Sequence, residues 1–252
     1  MSSSSPQQFW SAFGRWWREQ AREQGARRAT SLLIRNLWSF VRESTPERRR
    51  QRYGDMEYDW ENRVNTTSGT VGWRARLLVL FHSPYQPTDP ELFREMMASL
   101  STGGKPIDFE TFTFIDLGSG KGRTLLMASE YPFRRIVGVE LLHALHQIAL
   151  ENLARYKSES QKCFALEAIC GDAANFSFPA EPLVLYLFNP LPESGLRRVM
   201  ANLDVSLSAH ARAVYVLYHN PLLERVLVAS EVLTMLGGTE QYSIYAFRGK
   251  SG

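Results

Sequence analysis

The sequence predicts an α/β domain: a doubly wound, seven-stranded, mostly parallel sheet with its last strand antiparallel, behind a helical N-terminal extension. Three observations carry this. From residue 112 onward, short apolar runs of strand length alternate with stretches of helix length. The strand runs are apolar almost throughout rather than alternating, as expected where helices cover both faces of a sheet. Near the C-terminus, two further apolar runs flank a Gly-containing turn, GGTE, which reads as a closing hairpin.

The elements follow in order. Phe9, Phe13 and Trp16 recur at helical spacing, and a second helix is expected from about Thr30 to Arg42. Ser44-Thr45-Pro46-Glu47 looks like another helix start, and NTTSGTVG at 65–72 breaks the pattern. Asp89-Pro90-Glu91 sets an N-cap residue, a proline at the first helical position and an acid in the first turn. A helix should therefore run to about Leu100. Strands are expected at 112–117, 135–140, 163–169, 183–188 and 212–218, with helices near 122–130, 142–157, 193–204 and 221–229. The domain division implied is an Arg/Trp-rich extension over 1–83 and a ligand-binding domain over 84–252.

Composition narrows the class. A chain of 252 residues with 44% apolar and 22% charged residues can bury a core. No apolar run approaches the roughly 20 residues needed to span a bilayer. The N-terminal Met1-Ser-Ser-Ser-Ser-Pro6 shows no secretory pattern, so a cytoplasmic location is expected. Cys163 and Cys170 form no disulfide framework, and they make no metal-ligand spacing with the five histidines, so no metal is expected. His143 and His146 read as packing or surface residues, and both cysteines as core residues borne on strands. Charge is uneven: residues 1–55 hold 11 arginines against 5 acids, and all six tryptophans precede residue 74.

The most informative segment is Asp116-Leu117-Gly118-Ser119-Gly120-Lys121-Gly122-Arg123, a strand end, a glycine-rich turn and a helix start. Such a turn lets a ligand lie against the backbone. A Walker loop fails, because Gly122 follows Lys121 where Ser or Thr is required. A dinucleotide fingerprint starting at Gly118 needs Gly or Ala at 123 and finds Arg. The remaining pattern, D-x-G-x-G-x-G, resembles motif I of the class I S-adenosylmethionine-dependent methyltransferases. Glu140 closes the second strand, where its carboxylate can accept both ribose hydroxyls. Gly171-Asp172-Ala173 after the third strand resembles the segment that faces the adenine in that family. The resemblance covers about residues 84–248 and implies S-adenosylmethionine as cofactor. It implies Asp116, Gly118, Ser119, Gly120, Glu140, Asp172 and Ala173 as its binding residues. Lys121 and Arg123 read as surface charges on the first helix. Ser83-Pro84-Tyr85-Gln86-Pro87-Thr88 is similar to a segment of lysine methyltransferases that closes over the cofactor, which adds Tyr85 and Thr88 to the cofactor set.

On the acceptor side, the fourth strand ends in Asn189-Pro190-Leu191. Enzymes of this family acting on planar nitrogens carry a second proline and an aromatic here, so the departure argues against DNA adenine or glutamine as substrate. The Asn189 side-chain oxygen could still hold an amine by its hydrogens. The fifth strand ends in Tyr218-His219, and His219 is the general-base candidate. Asn189, Tyr218 and His219 form the expected catalytic set. The sequence does not identify the acceptor; a nitrogen of a protein side chain, lysine included, or of a small molecule is one expectation. The Arg/Trp front reads first as a cap over the pocket and second as a helix contacting a membrane surface. A nucleic-acid contact through Arg48, Arg49, Arg50 and Arg52 ranks last. Two other functions are an NAD-dependent oxidoreductase and a non-catalytic cofactor-binding interaction module.

Overall fold

The computed structural model describes residues 53–67, 87–102, 105–189 and 191–247. The helices expected over 9–17, 30–42 and from Ser44, with Tyr85 and Pro190, lie outside the described residues. The chain divides into two compact units, and the one made of residues 58–66 and 87–252 holds the whole main sheet. Residues 58–66 therefore cluster with the sheet, although they precede the boundary expected at 83.

Seven strands build that sheet: β1 (Thr113–Leu117), β2 (Arg135–Glu140), β3 (Leu166–Cys170), β4 (Leu183–Leu187), β5 (Val214–His219), β6 (Leu233–Gly238) and β7 (Tyr242–Phe247). Their order is β3-β2-β1-β4-β5-β7-β6. The first five are mutually parallel, and β7 inserts antiparallel between β5 and β6. Every residue of β1, β4 and β5 is buried, which explains their unbroken apolar runs. The third strand starts at Leu166 rather than 163. Cys163 is buried ahead of it, its N–H bonded to the Ser129 carbonyl, whereas Cys170 at the end of this edge strand is exposed, contrary to the core position expected.

Six α-helices lie among the described residues: α1 (Tyr53–Asn62), α2 (Pro90–Ala98), α3 (Arg123–Ala128), α4 (His143–Arg155), α5 (Glu193–Ala209) and α6 (Glu224–Val228). As expected, Asp89 caps α2, accepting the Leu92 N–H at 3.0 Å. Leu92, Phe93, Met96 and Met97 of α2 pack with Phe114, Leu125 and Tyr186 on one sheet face. On the other face α5 and α6 supply Leu196, Val199, Leu203, Val226 and Leu227 against Ile115, Leu185 and Val216. Among the described residues no helix is long and apolar enough to cross a membrane.

Candidate cofactor and acceptor site

The parallel strands end together, and their carboxyl ends gather the side chains singled out from the sequence. Gly118, Gly120 and Gly122 all take positive φ (92°, 55° and 82°), a backbone that favours glycine. The turn docks on β2: the Gly118 and Ser119 N–H groups donate to the Val139 carbonyl at 2.8 and 3.1 Å. That docking needs a bare neighbour. A Cβ on Gly138 would sit 2.6 Å from Leu125 and 2.7 Å from the Ser119 hydroxyl, so a glycine in β2 lets the turn close down.

Glu140 completes the turn. Its Oε2 accepts the Gly120 N–H at 2.9 Å and its Oε1 accepts the Leu142 N–H at 2.7 Å. Burial raises its pKa, and these backbone donors oppose the rise. Each oxygen keeps a further lone pair for a ligand. Asp116 is buried beside it at 2% exposure. Desolvation pushes its carboxyl up to about 7, the charge of Glu140 adds to this, and a hydrogen bond with Thr124 opposes it. Asp172 caps a 3-10 turn over Ala173–Asn175, accepting the Ala174 N–H at 2.9 Å and the Asn175 amide at 2.7 Å. These residues suit an adenosine group. Glu140 offers acceptors for a ribose, the exposed Gly118 presents backbone without a side chain, and the buried Ser119 hydroxyl has no hydrogen-bond partner among the described residues.

Lys121 and Arg123 are fully buried rather than at the surface. The reason is a polar network that the sequence gives no periodic signal for. The Lys121 ammonium donates to the Asn65 side-chain oxygen at 3.1 Å. Asn152 of α4 donates to the carbonyls of both Lys121 (2.9 Å) and Asn65 (3.0 Å), and its oxygen accepts the Asn65 N–H at 2.8 Å. Arg123 stacks over the Tyr58 ring at 4.5 Å and lies 3.9 Å from the Asp59 carboxylate. Desolvation lowers the Lys121 pKa to about 8 against the pull of Asp59. The glycine turn is thereby fastened from behind to residues 58–66.

The three expected catalytic residues fall into two groups. Successive strand residues point to opposite faces, so Tyr218 and His219 part company. The Tyr218 hydroxyl donates to Asn189 Oδ1 at 2.9 Å and accepts the Leu223 N–H at 3.2 Å, while Asn189 Nδ2 donates to the Asn220 carbonyl at 2.6 Å. One Asn189 oxygen lone pair is thus already in use. Asn189 and Asn220 both have positive φ (45° and 49°), so the ends of β4 and β5 are clipped together by two left-handed residues. On the other face, His219 Nδ1 lies 2.7 Å from the Tyr186 hydroxyl, which lies 2.7 Å from the Thr88 hydroxyl. Its ring stacks on Phe188 at 3.8 Å. Thr88 is buried in this chain of hydroxyls, and its carbonyl accepts from Arg123 at 3.4 Å. A phenol inside an apolar strand, such as Tyr186, announces no partner in the sequence. His146 is buried and His143 exposed beside it, and no cluster of metal-ligand type occurs among the described residues.

No family model matches the chain, and no curated protein matches it. Solved structures do. An RNA methyltransferase from Salinibacter ruber, in complex with S-adenosyl-L-homocysteine, is 21% identical with a TM-score of 0.42, over 66% of this chain and 95% of that one. A ribosomal protein L11 methylase from Lactobacillus delbrueckii subsp. bulgaricus is 14% identical with a TM-score of 0.42, over 64% and 77%. A dimethyladenosine transferase from Plasmodium falciparum is 13% identical with a TM-score of 0.42, over 65% and 63%. In its own strand order, with β1 between β2 and β4 and an antiparallel β7 inserted beside β5, the chain has the fold of the class I S-adenosylmethionine-dependent methyltransferases.

Proposed function

We propose that the protein is an S-adenosylmethionine-dependent methyltransferase. The observation that carries the reading is Glu140: a buried carboxylate at the end of β2, fixed by the Gly120 and Leu142 N–H groups beside a glycine turn whose Gly118 is exposed. Glu140 accepts the ribose hydroxyls, Gly118 and Ser119 give backbone contact, Asp172 and Ala173 border the adenine, and Asp116 lies beneath the turn. The cofactor supplies an electrophilic methyl on sulfur. Asn189, clipped to Tyr218 and Asn220, shapes the acceptor end next to β1, where β4 and β5 follow in the sheet. Thr88 acts on this side through Tyr186, not by offering its hydroxyl to the cofactor. Tyr85 remains in the proposed cofactor set on the strength of its segment alone.

The oxidoreductase reading is weaker. Position 123 of a dinucleotide loop calls for a small residue, and here Arg123 fills the space against Tyr58. The acceptor class is read by experiment. The purified protein is incubated with methyl-labelled cofactor and a cell extract, which is then separated into protein, RNA, DNA and small molecules. Label should enter one fraction and be absent with Asp116→Ala. Tight cofactor binding with no label in any fraction would leave the non-catalytic module standing. Because the structures of this fold include enzymes named for RNA and for a ribosomal protein, the RNA and protein fractions are counted first.

A further inference from the structure

The turn that carries Gly118 and Ser119 has little shape of its own. Gly118, Gly120 and Gly122 all stand at positive φ, and glycine leaves many other conformations open to each. Contacts must therefore impose the shape. β2 holds the first half, through the Val139 carbonyl and the Glu140 carboxylate. The second half, from Lys121 to Arg123, is held by Asn152 of α4 and by residues 58–66. Those residues close on themselves. Arg63 turns at φ 54°, and the Val64 N–H returns to the Asp59 carbonyl at 3.0 Å. The Asp59 carboxylate accepts the Thr66 N–H at 2.6 Å and also the Thr66 hydroxyl. The same carboxylate faces Arg123 at 3.9 Å, and the Asn65 side chain takes the Lys121 ammonium.

The segment is held differently from the sheet. Of residues 58–66 only Thr66 is fully buried, and only Tyr58 packs against the apolar core. Polar side-chain bonds supply the rest of the attachment. Segments with so little buried apolar area open at lower free energy than core strands. Yet Lys121 and Arg123, at 0% and 1% exposure, depend on this segment, because a buried charge needs its partners. We infer that residues 58–66 are a strap whose docking is coupled to cofactor binding, with Asp59 as its positioning residue. The inference rests on the methyltransferase reading for the identity of the ligand. When the strap opens, water replaces its groups around Lys121 and Arg123, both side chains can swing outward, and the three glycines let the backbone follow. The turn then loses the shape that a ligand meets at Gly118 and Ser119. Conversely, a bound cofactor fixes that shape and holds the strap shut. The coupling is the same in both directions. Asp59 acts through Thr66 and Arg123, not by touching the ligand.

The test is amide hydrogen exchange on the full-length protein, with and without saturating S-adenosylhomocysteine. It is read at Asn65 and Thr66, whose N–H groups are bonded to Asn152 Oδ1 and Asp59 Oδ2. The wholly buried β4 serves as the reference for unfolding of the sheet. Without ligand, residues 65 and 66 should exchange well before β4; with ligand, they should slow by roughly tenfold or more. Exchange as slow as that of β4 from the outset would overturn the inference. Asp59→Asn keeps the size of the side chain and removes its charge. It should speed exchange at 65 and 66 and weaken S-adenosylhomocysteine by about tenfold. Full affinity in that variant would overturn the role given to Asp59. Wild-type protein that binds no S-adenosylhomocysteine ends the methyltransferase reading and the coupling together. Binding with unchanged exchange at 65 and 66 ends the coupling alone.

Discussion

The two halves of the sheet's carboxyl edge are built by opposite means. Beyond β1, β2 and β3 stand the acids Asp116, Glu140 and Asp172, the first two buried at 2% and 7% exposure. Beyond β4 and β5 they are an amide, phenols and an imidazole, neutral groups that spend their hydrogen bonds on one another. A buried carboxylate costs stability unless something compensates it. In the first half backbone N–H groups offset part of that cost at Glu140 and a Thr124 hydrogen bond part of it at Asp116, whereas the second half closes on itself. On the proposed function, substitutions in the acid half should trade ligand affinity against stability, and those in the neutral half should leave cofactor affinity alone.

The largest break in that comparison concerns Asp116. Its folded carboxyl is raised to about 7 from 3.8, so the folded state binds more protons between those values and stability falls as pH rises through that window. Asp116→Asn removes the ionisable group. It should therefore raise the unfolding free energy at pH 8 by up to about 4 kcal/mol, seen as a higher melting temperature, and do little near pH 4. Melts at the two pH values check this; equal shifts at both would contradict it. Next comes Glu140→Ala, which should weaken S-adenosylhomocysteine on the order of 100-fold, because hydrogen bonds to a charged group are lost. Titration calorimetry reads that change.

A smaller effect tests what fastens the turn. Asn152→Ala removes three hydrogen bonds that tie residue 65 and the Lys121 carbonyl to α4. Chemical denaturation should show a loss of about 1–3 kcal/mol. Cofactor affinity should fall with it, since the same bonds seat the turn. The smallest effect on cofactor binding is expected from Asn189→Ala. Methyl transfer should drop markedly while S-adenosylhomocysteine affinity stays within a few-fold, as measured by labelled transfer and calorimetry on the same preparation. Transfer at the wild-type rate would reduce Asn189-Pro190 to a turn.

Much of the acid half was legible in the sequence, because its chemistry follows the chain. Asp116, the glycines and Glu140 sit at strand ends marked by apolar runs, and glycine spacing reports backbone conformation directly. The neutral half was legible only as a set of residues. Asn189, Tyr218 and His219 were correctly placed at strand ends, yet their sorting onto two faces depends on the residue at which β5 closes. Lys121 and Arg123 went astray for a similar reason. Their burial depends on Tyr58, Asp59 and Asn65, partners more than 50 residues away on a segment assigned to the extension. A long-range polar contact leaves no period in the sequence.

The central claim is that the turn between β1 and α3, with Glu140, holds an adenosyl sulfur cofactor and not a dinucleotide. Calorimetry with S-adenosylhomocysteine and NAD, side by side on the full chain, tests it most directly. The account predicts saturable binding of S-adenosylhomocysteine, lost on Glu140→Ala, and no heat with NAD. Binding of NAD alone would contradict it.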